Sequence, residues 1–154
     1  MNLGFSTRCV QSRDHDDQHG ATAPPLHQTA TFTQPTATDF GDYDYTRSGN
    51  PTRSLVERHV AALEGGAHGA AFTSGMAAIA AVTRLVPSGD EILAGDDLYG
   101  GTTRLLARLA CSHGVRVRHV DATDPQRVAE AITERTRLVL VETPTNPLLS
   151  VTDL

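Results

Sequence analysis

From Ala70 to Val141, short apolar runs alternate with helical patterns, and this alternation constrains the fold more than any other feature of the chain. Ala70–Thr73 reads as a strand and Gly75 to Val86 as a helix, broken by Pro87-Ser88-Gly89-Asp90. A strand at Glu91–Ala94 leads through G-D-D-L-Y-G-G-T into a helix over Thr103–Ser112, which Gly114 ends. Val115, Val117 and Val120 mark the next strand. Asp124 caps and Pro125 starts another helix, and Leu138–Val141 is a wholly apolar strand. Strands separated by single helices at this spacing imply βαβ units, hence an α/β fold with a mostly parallel sheet and helices on both faces.

The first third of the chain reads differently. Residues 1–44 show little regular structure. Asp14, His15, Asp16, Asp17 and His19 form a polar cluster expected to be a solvated turn, and Leu26–Phe32 has the look of an extended arm. Asn50-Pro51 opens a helix over Thr52–Glu64, with Leu55, Val56, His59, Val60 and Leu63 at helical spacing and Gly65-Gly66 as its stop. The natural division is therefore an arm and loop over residues 1–50 and an α/β region over 51–154.

Ligands of open α/β sheets bind at the carboxyl ends of the strands. Three loops there carry functional groups: Thr73-Ser74-Gly75-Met76, Gly95 to Thr102 with Tyr99, and E-T-P-T-N-P over Glu142–Pro147. Ser74 is a good N-cap, and a Ser-Gly helix start offers free amides and the positive end of the dipole to an anion. Many buried helices also start this way. Tyr45 and Arg47, in the loop Gly41–Thr52, are either a surface accident or an anion clamp made of a phenol and a guanidinium.

A net charge of −5 and a pI near 5.7 give no basic field for nucleic acid or an anionic membrane. No run reaches membrane-spanning length, and Cys9 and Cys111 make no disulfide framework, so a cytoplasmic location is expected. All thirteen basic Lys+Arg positions are arginine.

Y-D-Y-T-R-S-G-N-P-T-R, F-T-S-G-M-A-A, G-D-D-L-Y-G-G-T and E-T-P-T-N-P, in this order, resemble the Cys/Met-metabolism family of pyridoxal 5'-phosphate (PLP) enzymes. The wording is nearest to cystathionine β-lyases and their γ-synthase and γ-lyase relatives. The resemblance covers residues 4–154 and implies a fold-type-I PLP-dependent large domain, here incomplete. It implies that Gly75 and Met76 give amides to the cofactor phosphate, and that Tyr45 and Arg47 reach the phosphate of a neighbouring subunit in a dimer or tetramer. Tyr99 would stack on the pyridine ring and assist catalysis. Asn146 would lie near the ring hydroxyl and the substrate carboxylate, with Glu142 supporting that corner, and Arg104 matches a substrate-lining arginine.

The implied activity is a β- or γ-elimination or a synthase reaction on cystathionine or a related sulfur amino acid. Methionine γ-lyase and O-acylhomoserine sulfhydrylase chemistry are alternatives. The family's Schiff-base lysine and the aspartate that pairs with the pyridine nitrogen have no counterpart here, and the C-terminal domain is absent. The chain is therefore expected to be an N-terminal fragment or a natural truncation, inactive alone, with one half of a split enzyme whose second chain supplies the lysine as the third account. A truncated, non-catalytic assembly protein is the rival reading. A dinucleotide binder is disfavoured, because no G-x-G-x-x-G follows a strand. Cutting such a sheet after Val141 leaves an apolar edge, so self-association is expected.

Overall fold

A computed structural model describes residues 3–10 and 18–154. The polar cluster at Asp14–Asp17 lies outside the described residues. By contacts the chain divides into two compact units, Met1–Ala71 and Phe72–Leu154. The helix after Asn50 thus groups with the N-terminal segment.

In the first unit α1 (Phe5–Val10) and α2 (Pro51–Glu64) pack together. The segment around α1 was expected to lack regular structure. It is helical because Arg8 closes a turn onto Gly4 O and its guanidinium reaches Ala62 O on α2, a tertiary anchor that local pattern does not carry. Helix α2 begins as read: Asn50 is extended, its side chain accepts from Thr52 N, and Pro51 fills the first turn. It ends at Gly65, whose φ of 68° suits glycine. Leu26–Phe32 is not a lone arm. Thr31 bridges antiparallel to Tyr45, the rings of Phe32 and Tyr43 lie 5.6 Å apart, and Gln34 holds the loop closed through Phe32 O, Tyr43 O and Gly41 N.

In the second unit a three-stranded, fully parallel sheet has the order β2-β1-β3, with β1 at Glu91–Gly95, β2 at Arg116–Val120 and β3 at Thr136–Leu140. Helices α3 (Gly75–Thr83), α4 (Gly100–His113) and α5 (Pro125–Ala131) complete it. Strand β1 is buried throughout, as a central parallel strand should be. The step from β1 to β2 and the return past β1 to β3 run in opposite directions. Right-handed crossovers therefore put α4 and α5 on opposite faces. The core gathers Val86, Ile92, Ala94, Leu98, Leu106, Leu109 and Val115.

One expected strand is missing. Ala70–Thr73 is not in any ladder, because no strand among the described residues runs beside it. The Ala71 amide is satisfied by the Glu57 carboxylate at 2.9 Å instead. Helix α3 is also shorter than read. After Thr83 it tightens into i→i−3 bonds through Arg84, Leu85 and Val86 before Pro87. The end of the sheet where the strands begin is tied by Glu91, nearly buried, which accepts from Arg118 Nε at 2.7 Å and Nη2 at 2.9 Å and from Thr136 Oγ1 at 2.9 Å. Arg118's hydrogen bonds, assisted by Thr136 and opposed by burial, hold the Glu91 carboxyl below its ordinary range. No helix among the described residues is long and apolar enough to cross a membrane.

Candidate functional site

Because β1, β2 and β3 are parallel, the segments leaving them share one edge. Gly95, Asp97, Ala122, Thr123, Glu142 and Thr145 line a narrow crevice there. The Thr73–Met76 segment, although it follows no strand, is drawn to the same loop by packing of α3 on α4. Thr102 Oγ1 lies 3.9 Å from Met76 Sδ. Gly101 marks the meeting point. A Cβ there would sit 2.5 Å from Tyr99 Cε1 and 3.0 Å from Met76 Sδ, so only glycine lets the Tyr99 ring and the Met76 thioether close on this turn.

At the start of α3 Ser74 has the extended backbone of an N-cap, and its hydroxyl accepts from Ala77 N at 3.2 Å. The amides of Gly75 and Met76 have no acceptor among the described residues. A Cβ on Gly75 would meet nothing within 4 Å, so the backbone is open beside it. Free N–H groups at a helix start fit an anionic group such as a phosphate.

Tyr99 is half exposed and stands at the N-cap of α4, yet its side chain makes no capping bond. Glu142, from the loop after β3, caps in its place, with Oε2 accepting from Tyr99 N at 3.0 Å. In the other direction Asp97 Oδ2 accepts from Thr145 Oγ1 and, at 3.0 Å, from Leu148 N. Asn146 lies between those two points, exposed, with no side-chain bond among the described residues. Both X-Pro peptides of this loop, Thr143-Pro144 and Asn146-Pro147, are cis. Arg104 is exposed one turn into α4, its Nη1 3.4 Å from where a Gly100 Cβ would lie. Sequence reading singled out Tyr99, Glu142 and Asn146 but passed over Asp97, Thr145 and Gly101. The doubled acid of G-D-D-L-Y, two residues before the tyrosine, was the available signal.

In the first unit the Arg47 guanidinium carbon stands 5.2 Å from the Tyr45 ring centroid, a cation–π contact that keeps the two side chains together. Their backbone forms a turn: Ser48 N and Gly49 N both donate to Tyr45 O. Arg53 on α2 braces the turn through Thr46 O, Arg47 O and Ser48 O. Arg47 itself has no ion pair among the described residues.

Residues 6–154 match the family of Cys/Met metabolism PLP-dependent enzymes. The chain belongs to that family. Its fold is accordingly the first part of the family's PLP-dependent large domain, and the family's cofactor is PLP. Among relatives, cystathionine β-lyase of Neurospora crassa is 49% identical over 138 residues, covering 90% of this chain and 30% of that protein. The chloroplastic cystathionine β-lyase of Mimosa pudica is 48% identical over 151 residues, covering 98% and 33%. The crystal structure of cystathionine γ-synthase from Xanthomonas oryzae pv. oryzae in complex with cystathionine superposes with a TM-score of 0.88 at 40% identity, over 99% of this chain and 40% of that one. The chain thus spans about a third of the length of the curated relatives it matches.

Proposed function

We propose that this chain carries the phosphate-binding and ring-facing parts of a PLP site in a C–S lyase or synthase acting on cystathionine or a related sulfur amino acid. The observation that carries this reading is the convergence of Met76, Tyr99 and Gly101 beside the free amides that open α3. Gly75 and Met76 would bind the phosphate, and Tyr99 would cover the pyridine face. Asn146 would meet the ring hydroxyl and substrate carboxylate, and Arg104 would line the substrate side. Tyr45 and Arg47, held together and with no ion pair to the guanidinium among the described residues, suit the phosphate of a neighbouring subunit's cofactor, which makes a dimer or tetramer the working form.

The chemistry supplied by bound PLP would be an electron sink for the substrate Cα, which would let a sulfur group leave from Cβ or Cγ after proton loss. The chain's own groups orient the cofactor and shield one ring face. They do not anchor the aldehyde, since no lysine is present. A second reading, a chain that works in subunit assembly, rests on the exposed Leu148, Leu149 and Val151 that follow β3.

Titration with PLP, followed by borohydride reduction and peptide mass spectrometry, tests the first reading. Saturable binding that competes with inorganic phosphate is expected, with no pyridoxyl label on any side chain. Absence of saturable binding would overturn the cofactor reading and leave the assembly role, which mixing with a full-length relative and measuring hetero-oligomer mass would check.

A further inference from the structure

The loops after β1 and β3 hold each other by two carboxylates that cross. Asp97, on the first loop, accepts from Thr145 Oγ1 and Leu148 N on the second, bracketing Asn146. Glu142, at the start of the second loop, accepts from the Tyr99 amide on the first. We propose that Asp97 and Glu142 are positioning residues: a reciprocal buckle that fixes Tyr99 and Asn146, the ring-facing groups, relative to one another. The proposal rests on the cofactor reading above.

Three observations support it. Thr145 is buried and its hydroxyl also accepts from Ser150 N at 2.8 Å, so the second loop is gathered around the atom that Asp97 holds. Tyr99 has no cap of its own, and Glu142 places a negative group at the positive end of α4, where a carboxylate is favoured. Neither carboxylate is bonded to the start of α3, where Ser74 Oγ accepts from Ala77 N and the Gly75 and Met76 amides have no acceptor among the described residues. The buckle therefore governs the ring end of the site and not the phosphate end.

That division gives the test. Glu142→Ala and Asp97→Ala are compared with the conservative Glu142→Gln and Asp97→Asn, which each keep one acceptor oxygen. Amide hydrogen exchange is followed by NMR in the full chain, and affinities for PLP and for inorganic phosphate are measured separately. With the buckle, Glu142→Ala speeds exchange about tenfold or more at Tyr99 and also, across the crossing, at Leu148. Asp97→Ala does the same in reverse, and Ile92 and Leu93 stay unchanged. PLP affinity falls about tenfold in both alanine variants, inorganic phosphate affinity holds, and the conservative variants recover most of the loss. Loosening confined to the loop whose partner was removed, or equal losses for PLP and phosphate, would overturn the proposal. A parent chain that binds no PLP while exchange still couples across the loops would sink the cofactor reading and leave the mechanical pairing intact.

Discussion

At the scale of single residues, two glycines a short distance apart have opposite roles. Gly101 is required by the chain's own atoms, since a Cβ there collides with the Tyr99 ring. Gly101→Ala should cost about 1–3 kcal/mol through overpacking, read as a lower urea midpoint, and should weaken PLP binding as the ring is displaced. Gly75 faces open space. Gly75→Ala should leave stability within about 0.5 kcal/mol of the parent, because the new methyl meets nothing and alanine suits a helix. It should nevertheless weaken phosphate and PLP affinity at least tenfold in a binding titration. A Gly75→Ala chain that binds phosphate normally would remove α3 from the site. Ser74→Ala, by contrast, loses a cap and should cost about 1 kcal/mol of stability, measured in the same urea series.

At the scale of elements, the tie across the three strands dictates a pH dependence. The folded Glu91 carboxyl titrates below its ordinary range because Arg118 and Thr136 bind its charged form. A lowered carboxylate stabilises fully above the unfolded value and loses that contribution as pH falls through the folded one. Glu91→Gln should therefore lower the urea midpoint at pH 7, and the gap from the parent should close on acidification below the ordinary glutamate range. A gap independent of pH would mean that packing, not charge, is what Glu91 provides. The elements themselves were largely legible in the sequence. Asn50, Ser74, Asp124, Gly65 and Gly114 act where local chemistry alone dictates a cap or stop, and α2, α3, α5 and the three strands follow from them. Three features were not legible. Ala70–Thr73 has strand composition, but a strand exists only when a neighbour completes its ladder. Helix α1 depends on Arg8 reaching α2, and Asp97 on a partner about fifty residues away, contacts that no local pattern encodes.

At the scale of the whole molecule, Leu148, Leu149 and Val151 are exposed after β3, and Leu149 has a φ of 58°, a left-handed conformation that costs a leucine about 1–2 kcal/mol. The Leu149 amide, donating to Thr145 O at 3.1 Å, holds that backbone, and the three apolar side chains stay exposed together, a surface suited to contact with another chain. Self-association is expected, visible in light scattering as mass above the monomer. Leu149→Asn, which suits the left-handed backbone and removes the apolar group, should reduce that mass without lowering the urea midpoint. A monodisperse monomer in the parent would contradict this.

The tie between Glu91, Arg118 and Thr136 sits at the end of the sheet opposite the loops that bear Tyr99 and Asn146. Cohesion and the proposed chemistry are thus separated along the strands. Substitutions that retune what the upper loops recognise can accumulate without drawing on the contacts that keep the strands in register. A scaffold built this way is evolvable: relatives can diverge in the reaction they favour while the lower edge of the sheet stays as it is.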